Sequence, residues 1–119
     1  MMRFQFGKNW RNFSHGLSLN TIKSAENSLK KLFGESGVKD KVFLDVGSGS
    51  GLFSLAARRM GASVISFDYD PNSVACTQAL KNKFFPDDPD WKIFEANVLD
   101  QVTMQRFTPD IIYSWGVLH

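Results

Sequence analysis

The chain has 119 residues, of which 43% are hydrophobic and 22% charged, and this composition is typical of a single globular domain rather than a disordered tail. The 14 basic and 12 acidic residues leave a net charge of +2, which is too small to indicate binding to nucleic acid or to a membrane. A single cysteine, Cys76, excludes an intrachain disulfide and fits a reducing compartment, so we expect a cytoplasmic protein.

The predicted elements alternate between helix and strand along the chain. Apolar residues at helical spacing predict a helix over residues 20–33, which Gly34 ends. The short, β-branched run Val42–Val46 predicts a buried parallel strand. Beyond it we predict a helix over 52–61, a strand over 63–67, a helix that begins with Asp70 and Pro71, a strand over 91–96, a short helix over 101–106 and a strand over 110–115.

This order of elements predicts a parallel sheet with right-handed crossover connections. The fold class is therefore α/β, a doubly wound, Rossmann-like sheet with helices on both faces. In the third predicted helix, the apolar residues predict a buried face made of Val74, Ala75, Ala79 and Leu80. Cys76 lies in the same helix, and we interpret it as a packing residue away from the ends of the loops.

A glycine-rich loop separates the first predicted strand from the helix after it. Its sequence, Asp45-Val46-Gly47-Ser48-Gly49-Ser50-Gly51, lets the backbone turn tightly and approach a ligand closely. A dinucleotide site has the pattern G-x-G-x-x-G, whereas the sixth position here is Leu52. The acidic Asp45 would also repel a pyrophosphate, and it suits a cationic ligand such as one with an ammonium and a sulfonium. A dinucleotide, a cationic ligand and a turn without a ligand stay open as alternatives.

A second acidic residue, Asp68, ends the second predicted strand, 23 residues after Asp45. A carboxylate about 20 residues past such a loop accepts hydrogen bonds from both hydroxyls of a ribose. It therefore does not distinguish a dinucleotide from the cationic ligand. We interpret Tyr69 either as a stacking partner for an adenine or as a surface aromatic residue. Asp70 is better explained as the cap of the following helix.

Four segments of the chain, taken together, resemble the motifs of one family. Residues 43–51, 66–70, 95–100 and 110–119 are similar, in order, to successive motifs of class I S-adenosylmethionine-dependent methyltransferases. The resemblance covers residues 42–119 and is much more specific than the glycine loop alone. It implies S-adenosylmethionine as the cofactor, a cofactor-binding half-domain over residues 38–119 and an N-terminal helical cap over residues 1–37.

The resemblance implies how the first two strands would hold the cofactor. Its amino acid end would lie against five residues of the first motif: Asp45, Gly47, Ser48, Gly49 and Gly51. Its ribose would be bound by Asp68, and its adenine would lie near Tyr69.

Further contacts are implied after the third and fourth strands. Asn97 would face the adenine amino group, and the backbone of Val98 would contact a ring nitrogen. Asn97 replaces the aspartate that is common in the family, but its amide oxygen still accepts a hydrogen bond from an amino group. The backbone of Ser114 and Trp115 would flank the methionine part of the cofactor.

The family fold has seven strands in the order 3-2-1-4-5-7-6, and this chain supplies only the first four. We therefore expect a truncated sheet whose fourth strand is an unprotected edge that promotes self-association. We expect a small-molecule methyl acceptor as partner, without nucleic acid or membrane binding. The two histidines and the one cysteine lie far apart in sequence, so we expect no metal site.

Methyl transfer is a direct displacement in which the protein mainly positions the two reactants, so the sequence indicates no catalytic residue. Two rival interpretations remain at this stage. One is an NAD-dependent oxidoreductase half-domain, against which Leu52 and Asp45 speak. The other is a module that binds the cofactor or a partner without catalysis.

Overall fold

A computed structural model describes residues 18–95 and 108–114 of the chain, and every structural statement below concerns these two ranges. They form three helices and four strands. In chain order these are α1 (Leu19–Phe33), β1 (Val42–Val46), α2 (Leu52–Arg59), β2 (Ser63–Asp68), α3 (Pro71–Phe84), β3 (Trp91–Glu95) and β4 (Ile111–Tyr113).

The ends of α1 and α3 follow from their capping residues. The Ser18 hydroxyl accepts a hydrogen bond from the backbone N–H of Thr21, 3.2 Å away, and so starts α1. Gly34, with a φ of 87°, ends α1. The Asp70 carboxylate accepts from the backbone N–H of Asn72 at 2.9 Å, and Pro71 occupies the first turn of α3. The predicted role of Asp70 as a helix cap is confirmed.

The four strands form one parallel sheet in the order β3-β2-β1-β4. Phe43 of β1 pairs with Val64 of β2 and with Ile111 of β4, and Val64 pairs in turn with Trp91 of β3. The order and direction confirm the predicted Rossmann-like sheet. Because all strands run the same way, their carboxyl ends meet at one edge, where ligands bind in folds of this class.

The two faces of the sheet are covered differently. All three helices pack on the face that carries Phe43, Val64 and Trp91, and together they form the main core. The opposite face carries a second buried cluster, which consists of Leu44, Val46, Ile65 and Phe67. The helix predicted over 101–106 lies outside the described residues. The three described helices all lie on the first of these faces. None of these helices is long and apolar enough to cross a bilayer.

The predicted buried face of α3 is partly wrong. Ala75 is exposed, and the buried residues of the helix are Ser73, Cys76, Thr77 and Leu80. The helix is rotated in this way because small polar side chains on it pack against the glycine loop, where they find backbone partners. Leu80, in contrast, belongs to the main core as predicted.

Candidate functional site

The site is built at the carboxyl edge of the sheet, between β1 and β2. Asp45 of β1 lies opposite Ser66 of β2, and Asp68 follows two residues later on the same strand. Both carboxylates are almost fully buried, with 3% of Asp45 and 2% of Asp68 exposed. Two buried carboxylates therefore flank the start of the glycine loop.

Three glycines give this loop its shape. Gly47, Gly49 and Gly51 have φ angles of 75°, 58° and 87°, in the left-handed region that side chains rarely enter. The carbonyl of Phe67 on β2 accepts hydrogen bonds from the N–H groups of Gly47 and Ser48, at 2.8 and 2.9 Å. These bonds fasten the beginning of the loop to the neighbouring strand.

The other side of the loop packs on α3. A Cβ atom at Gly51 would lie 3.0 Å from the Cα of Thr77, so a side chain there would displace the helix backbone. The Thr77 hydroxyl donates to the carbonyl of Gly49 at 3.2 Å and lies 3.1 Å from the hydroxyl oxygen of Ser48. The glycine at position 51 thus allows a close approach of helix and loop.

The expectation that Cys76 lies away from the loop is wrong. Its sulfur atom is buried and lies 3.7 Å from the carbonyl oxygen of Ser50, to which the thiol donates. Burial raises the pKa of this thiol to about 11, so it is protonated and unreactive at neutral pH. Its predicted role as a packing residue fits this environment, although the partner is the loop.

Asp68 is held by backbone donors. One carboxylate oxygen accepts from the N–H of Gly49 at 3.0 Å, and the other accepts from the N–H of Asp70 at 2.9 Å. Asp68 therefore joins the glycine loop to the turn that precedes α3. A carboxylate oxygen accepts more than one hydrogen bond, so this arrangement is compatible with additional hydroxyl donors from a ligand.

Asp45 is held by α2. The hydroxyl of Ser54 donates to its carboxylate at 2.6 Å, and the backbone N–H of Ser54 also donates to it. Ser54 is the third residue of α2, and Gly51 at the N-cap provides no side-chain acceptor. The carboxylate of Asp45 therefore caps α2 from a neighbouring strand and lies at the positive end of the helix dipole.

The charge state of Asp45 is finely balanced. Burial raises the pKa of the Asp45 carboxyl from 3.8 to about 6, and the charge of Asp68 contributes to this rise. The hydrogen bonds from the Ser54 hydroxyl and from the Ser54 N–H lower the pKa, but by less. Asp45 is therefore mostly ionised at neutral pH, as a buried negative charge without a paired cation among the described residues. Such a charge suits a cationic group from a ligand.

The contacts of Ser54 continue into the sheet. Its hydroxyl oxygen lies 2.6 Å from that of Ser66 on β2, and the indole N–H of Trp91 on β3 donates to Ser66 at 3.0 Å. All of these groups are buried. Four residues from β1, α2, β2 and β3 thus form one hydrogen-bonded series that ends at Asp45.

Tyr113, the last residue of β4, and Ser114, which follows it, complete this part of the sheet edge. Tyr113 lies opposite Asp45, and its ring packs on Phe43 and Phe53, with centroid distances of 5.7 and 5.3 Å. Burial and the charge of Asp45 raise the pKa of Tyr113. The hydroxyl oxygen of Ser114 is buried and has no hydrogen-bond partner within residues 18–95 and 108–114.

The structure thus brings Asp45, the glycine loop and Asp68 together, as the sequence predicted. Tyr69 follows Asp68 and is 61% exposed. This position is compatible both with stacking on an adenine and with a surface aromatic residue. Asn97, Val98 and Trp115 lie outside the described residues.

Sequence reasoning missed four residues near Asp45, namely Ser54, Ser66, Trp91 and Tyr113. A signal for one of them was present, because Ser66 is a polar residue at the centre of the otherwise apolar second strand. A buried hydroxyl in such a place needs a hydrogen-bond partner. The partner itself comes from a distant element, so the local pattern does not reveal it.

Residues 20–119 match a sequence profile described as a methyltransferase domain. The chain belongs to the class I S-adenosylmethionine-dependent methyltransferases. This confirms the family that the motifs indicated, and an NAD-dependent oxidoreductase is not favoured. S-adenosylmethionine is the cofactor of this family. No curated protein sequence matches this methyltransferase chain at a significant level.

Several solved structures resemble this methyltransferase chain. The Thermus thermophilus 16S rRNA N2 G1207 methyltransferase, solved with S-adenosylmethionine and guanosine, is 26% identical over 90% of this chain, with a TM-score of 0.67. A protein provisionally described as an RNA methyltransferase, from Pyrococcus horikoshii, is 26% identical over 60% of the chain, with a TM-score of 0.51. A Methanococcus maripaludis protein, at 18% identity over 82% of the chain and a TM-score of 0.60, shows the shared fold.

This chain spans only part of those proteins, namely 28%, 34% and 45% of their lengths, respectively. Two of the three are described as acting on RNA, and this overturns the expectation that nucleic acid is excluded as a partner. The expectation failed because it rested on net charge. A small net charge does not exclude nucleic acid when substrate recognition depends on a local surface or on another part of the protein.

Proposed function

We propose that this chain binds S-adenosylmethionine at the carboxyl ends of β1 and β2 and forms the cofactor-binding part of a methyltransferase. The observation that supports this most directly is the pair of buried carboxylates, Asp45 and Asp68, on either side of a left-handed glycine loop. The same loop contacts Asp68 through the N–H of Gly49. We also propose that residues 1–37 act as a cap on the half-domain 38–119, and that the protein is cytoplasmic.

The chemistry of the two carboxylates fits the two ends of this cofactor. Asp45 provides a buried negative charge for the ammonium group of the methionine part, and the glycine loop leaves room for the carboxylate beside it. Asp68 provides acceptors for the ribose hydroxyls. The unpartnered hydroxyl of Ser114 lies at the end of β4, where the methionine part is expected.

When bound, the cofactor supplies a methyl group on a positively charged sulfur. The residues of this chain hold and orient it rather than take part in covalent chemistry. Asp45 orients the ammonium through charge, and Asp68 fixes the ribose through hydrogen bonds. We propose contacts to the adenine for Asn97 and Val98 and to the methionine part for Ser114 and Trp115, following the family motifs.

Calorimetric titration with S-adenosylhomocysteine tests this proposal. We expect saturable binding of this ligand and none of NAD, and we expect Asp68→Ala to abolish it. Asp70→Asn is the matched control, because it removes a neighbouring charge but keeps a side chain that caps α3 well. NAD binding, or binding that Asp68→Ala leaves unchanged, would overturn the proposed site.

A further inference from the structure

The hydrogen bonds that lead to Asp45 all point in one direction. The indole N–H of Trp91 is a donor only, so the oxygen of Ser66 accepts at that contact. The single proton of Ser54 is donated to the carboxylate of Asp45. The remaining contact, between Ser54 and Ser66, is then made by the proton of Ser66. Each donor therefore faces toward Asp45.

This direction favours the ionised form of Asp45. A protonated Asp45 that donated to Ser54 would reverse the two serine hydroxyls, and Ser66 would then receive protons from both Ser54 and Trp91. The proton of Ser66 itself would have to find another acceptor in a fully buried position. Hydrogen bonds in a series also strengthen one another when they are aligned.

We propose that Trp91, Ser66 and Ser54 are positioning residues that hold the carboxylate of Asp45 ionised and aimed at the ammonium of the cofactor. This inference rests on the proposed binding of S-adenosylmethionine at Asp45. The three residues are called the donor chain below. Trp91, at its far end, is linked to Asp45 through the two serines.

Asp68 on β2 acts in the opposite sense, because its charge opposes the ionisation of Asp45. Tyr113 on β4 also lies beside Asp45, and burial, together with the charge of Asp45, raises the pKa of its hydroxyl, which therefore stays neutral. Because α2 contributes only the Ser54 hydroxyl and backbone N–H, the donor chain is the main side-chain arrangement that favours the charged form.

The ligand-free protein allows a direct test by NMR. The chain has three tryptophans, and Trp91→Phe identifies which indole N–H signal belongs to Trp91. We expect this signal to shift between pH 5 and pH 7 with a midpoint near the pKa of Asp45, about 6. Asp45→Asn should make the signal independent of pH in that range, and Ser66→Ala should do the same. A signal that does not titrate in the unmodified chain would overturn the proposal.

The consequence for the cofactor is tested by titrating S-adenosylhomocysteine at several pH values. Binding should weaken below the pKa of Asp45, and Trp91→Phe should move this midpoint upward by roughly 0.3–1 pH unit. Phe85→Leu is the control, because the Phe85 ring packs edge-on against Trp91, with the centroids 6.2 Å apart, but takes no part in the hydrogen bonds of the donor chain. It should leave the midpoint in place.

A uniform loss of affinity at every pH in Trp91→Phe would indicate a structural role alone and would contradict the proposal. Ser66→Ala provides a second, smaller change if Trp91→Phe does not fold. The proposed function and the proposed role of the donor chain can also be tested separately. If S-adenosylhomocysteine does not bind at all, the proposed function fails, whereas the NMR titration of Trp91 still tests the donor chain.

Discussion

Asp45 and Asp68 are buried acids at the ends of neighbouring strands, but the fold holds them in different ways. Asp68 receives backbone N–H groups from Gly49 and Asp70, and these partners are present whatever the side chains of those residues are. Asp45 receives one backbone N–H, from Ser54, and also the side-chain hydroxyl of Ser54, which contacts Ser66 and through it Trp91. The comparison separates an acid that shapes the loop from one whose charge is adjustable.

Replacing the carboxylate of Asp68 is expected to weaken both the fold and the binding of the ligand. In Asp68→Asn, one of the two backbone N–H groups would face an amide NH₂ instead of an acceptor, and a buried donor without a partner costs about 1–3 kcal/mol. We expect the free energy of unfolding to fall by about 2 kcal/mol, measured by urea denaturation. S-adenosylhomocysteine should bind about 100-fold more weakly. Unchanged stability would show that the two backbone hydrogen bonds are unimportant.

Asp45 should make the stability of the fold depend on pH. Its pKa is 3.8 when the chain is unfolded and about 6 when it is folded, so the folded state binds the proton more tightly. This carboxyl therefore stabilises the fold less and less as the pH rises from about 4 to about 7, by up to ~3 kcal/mol in total. Asp45→Asn should lack this component.

Urea denaturation of both forms across that range measures the difference. The free energy of unfolding of Asp45→Asn minus that of the unmodified chain should rise with pH, while binding of S-adenosylhomocysteine is lost. A difference that is constant between these pH values would show that the folded pKa of Asp45 is close to its unfolded value.

A side chain at position 51, in the loop between the two acids, is expected to weaken binding of the ligand. In Gly51→Ala the new Cβ would combine a φ of 87° with a 3.0 Å contact to the Thr77 backbone. We expect ~10-fold weaker binding of S-adenosylhomocysteine, equal to about 1.4 kcal/mol. Gly61→Ala is the control, because its φ of 97° is also strained but the tight contact of its Cβ, at 3.1 Å, is with the Cγ of the flexible Lys39 side chain, and the Lys39 backbone is 3.7 Å away. That variant should lose stability without losing affinity.

The smallest effect is expected for Thr77. Thr77→Val keeps the shape of the side chain but removes the hydroxyl that donates to Gly49, which costs about 1 kcal/mol of stability. Affinity for S-adenosylhomocysteine should fall only a few-fold, since neither acid is touched. Ser28→Ala, which removes an exposed hydroxyl from α1, is the matched control and should change neither quantity measurably. Equal effects of both variants would contradict the role of Thr77.

The sequence predicted the sheet well because each strand carries its own local signal. Val42–Val46 was predicted with the observed bounds, and the other strands within one or two residues. The two acids and the glycine loop were also predicted, since strand ends and turns lie next to one another in the sequence. A parallel sheet then places them at one edge without further information.

Side chains that meet across elements could not be predicted in this way. The exposed position of Ala75 arises because Cys76 and Thr77 face the loop, and hydrophobicity alone favours the opposite choice. Likewise, the contact from Trp91 to Ser66 requires the register between β2 and β3, which no local pattern contains. The raised pKa of Asp45 comes mainly from burial by elements that meet only in the folded chain, so it was also beyond the reach of the sequence.

The donor chain has a consequence for the order of events during protein synthesis. Asp45 and Trp91, its two ends, are 46 positions apart in sequence, and chains leave the ribosome from the N-terminus at about 5–20 residues per second. A nascent chain therefore exposes Asp45 about 2–9 seconds, and Asp68 about 1–5 seconds, before Trp91 emerges. If the donor chain acts as proposed, we expect the tightest binding of the cofactor only after β3 has docked beside β2, so that ligand binding would report the docking of this strand.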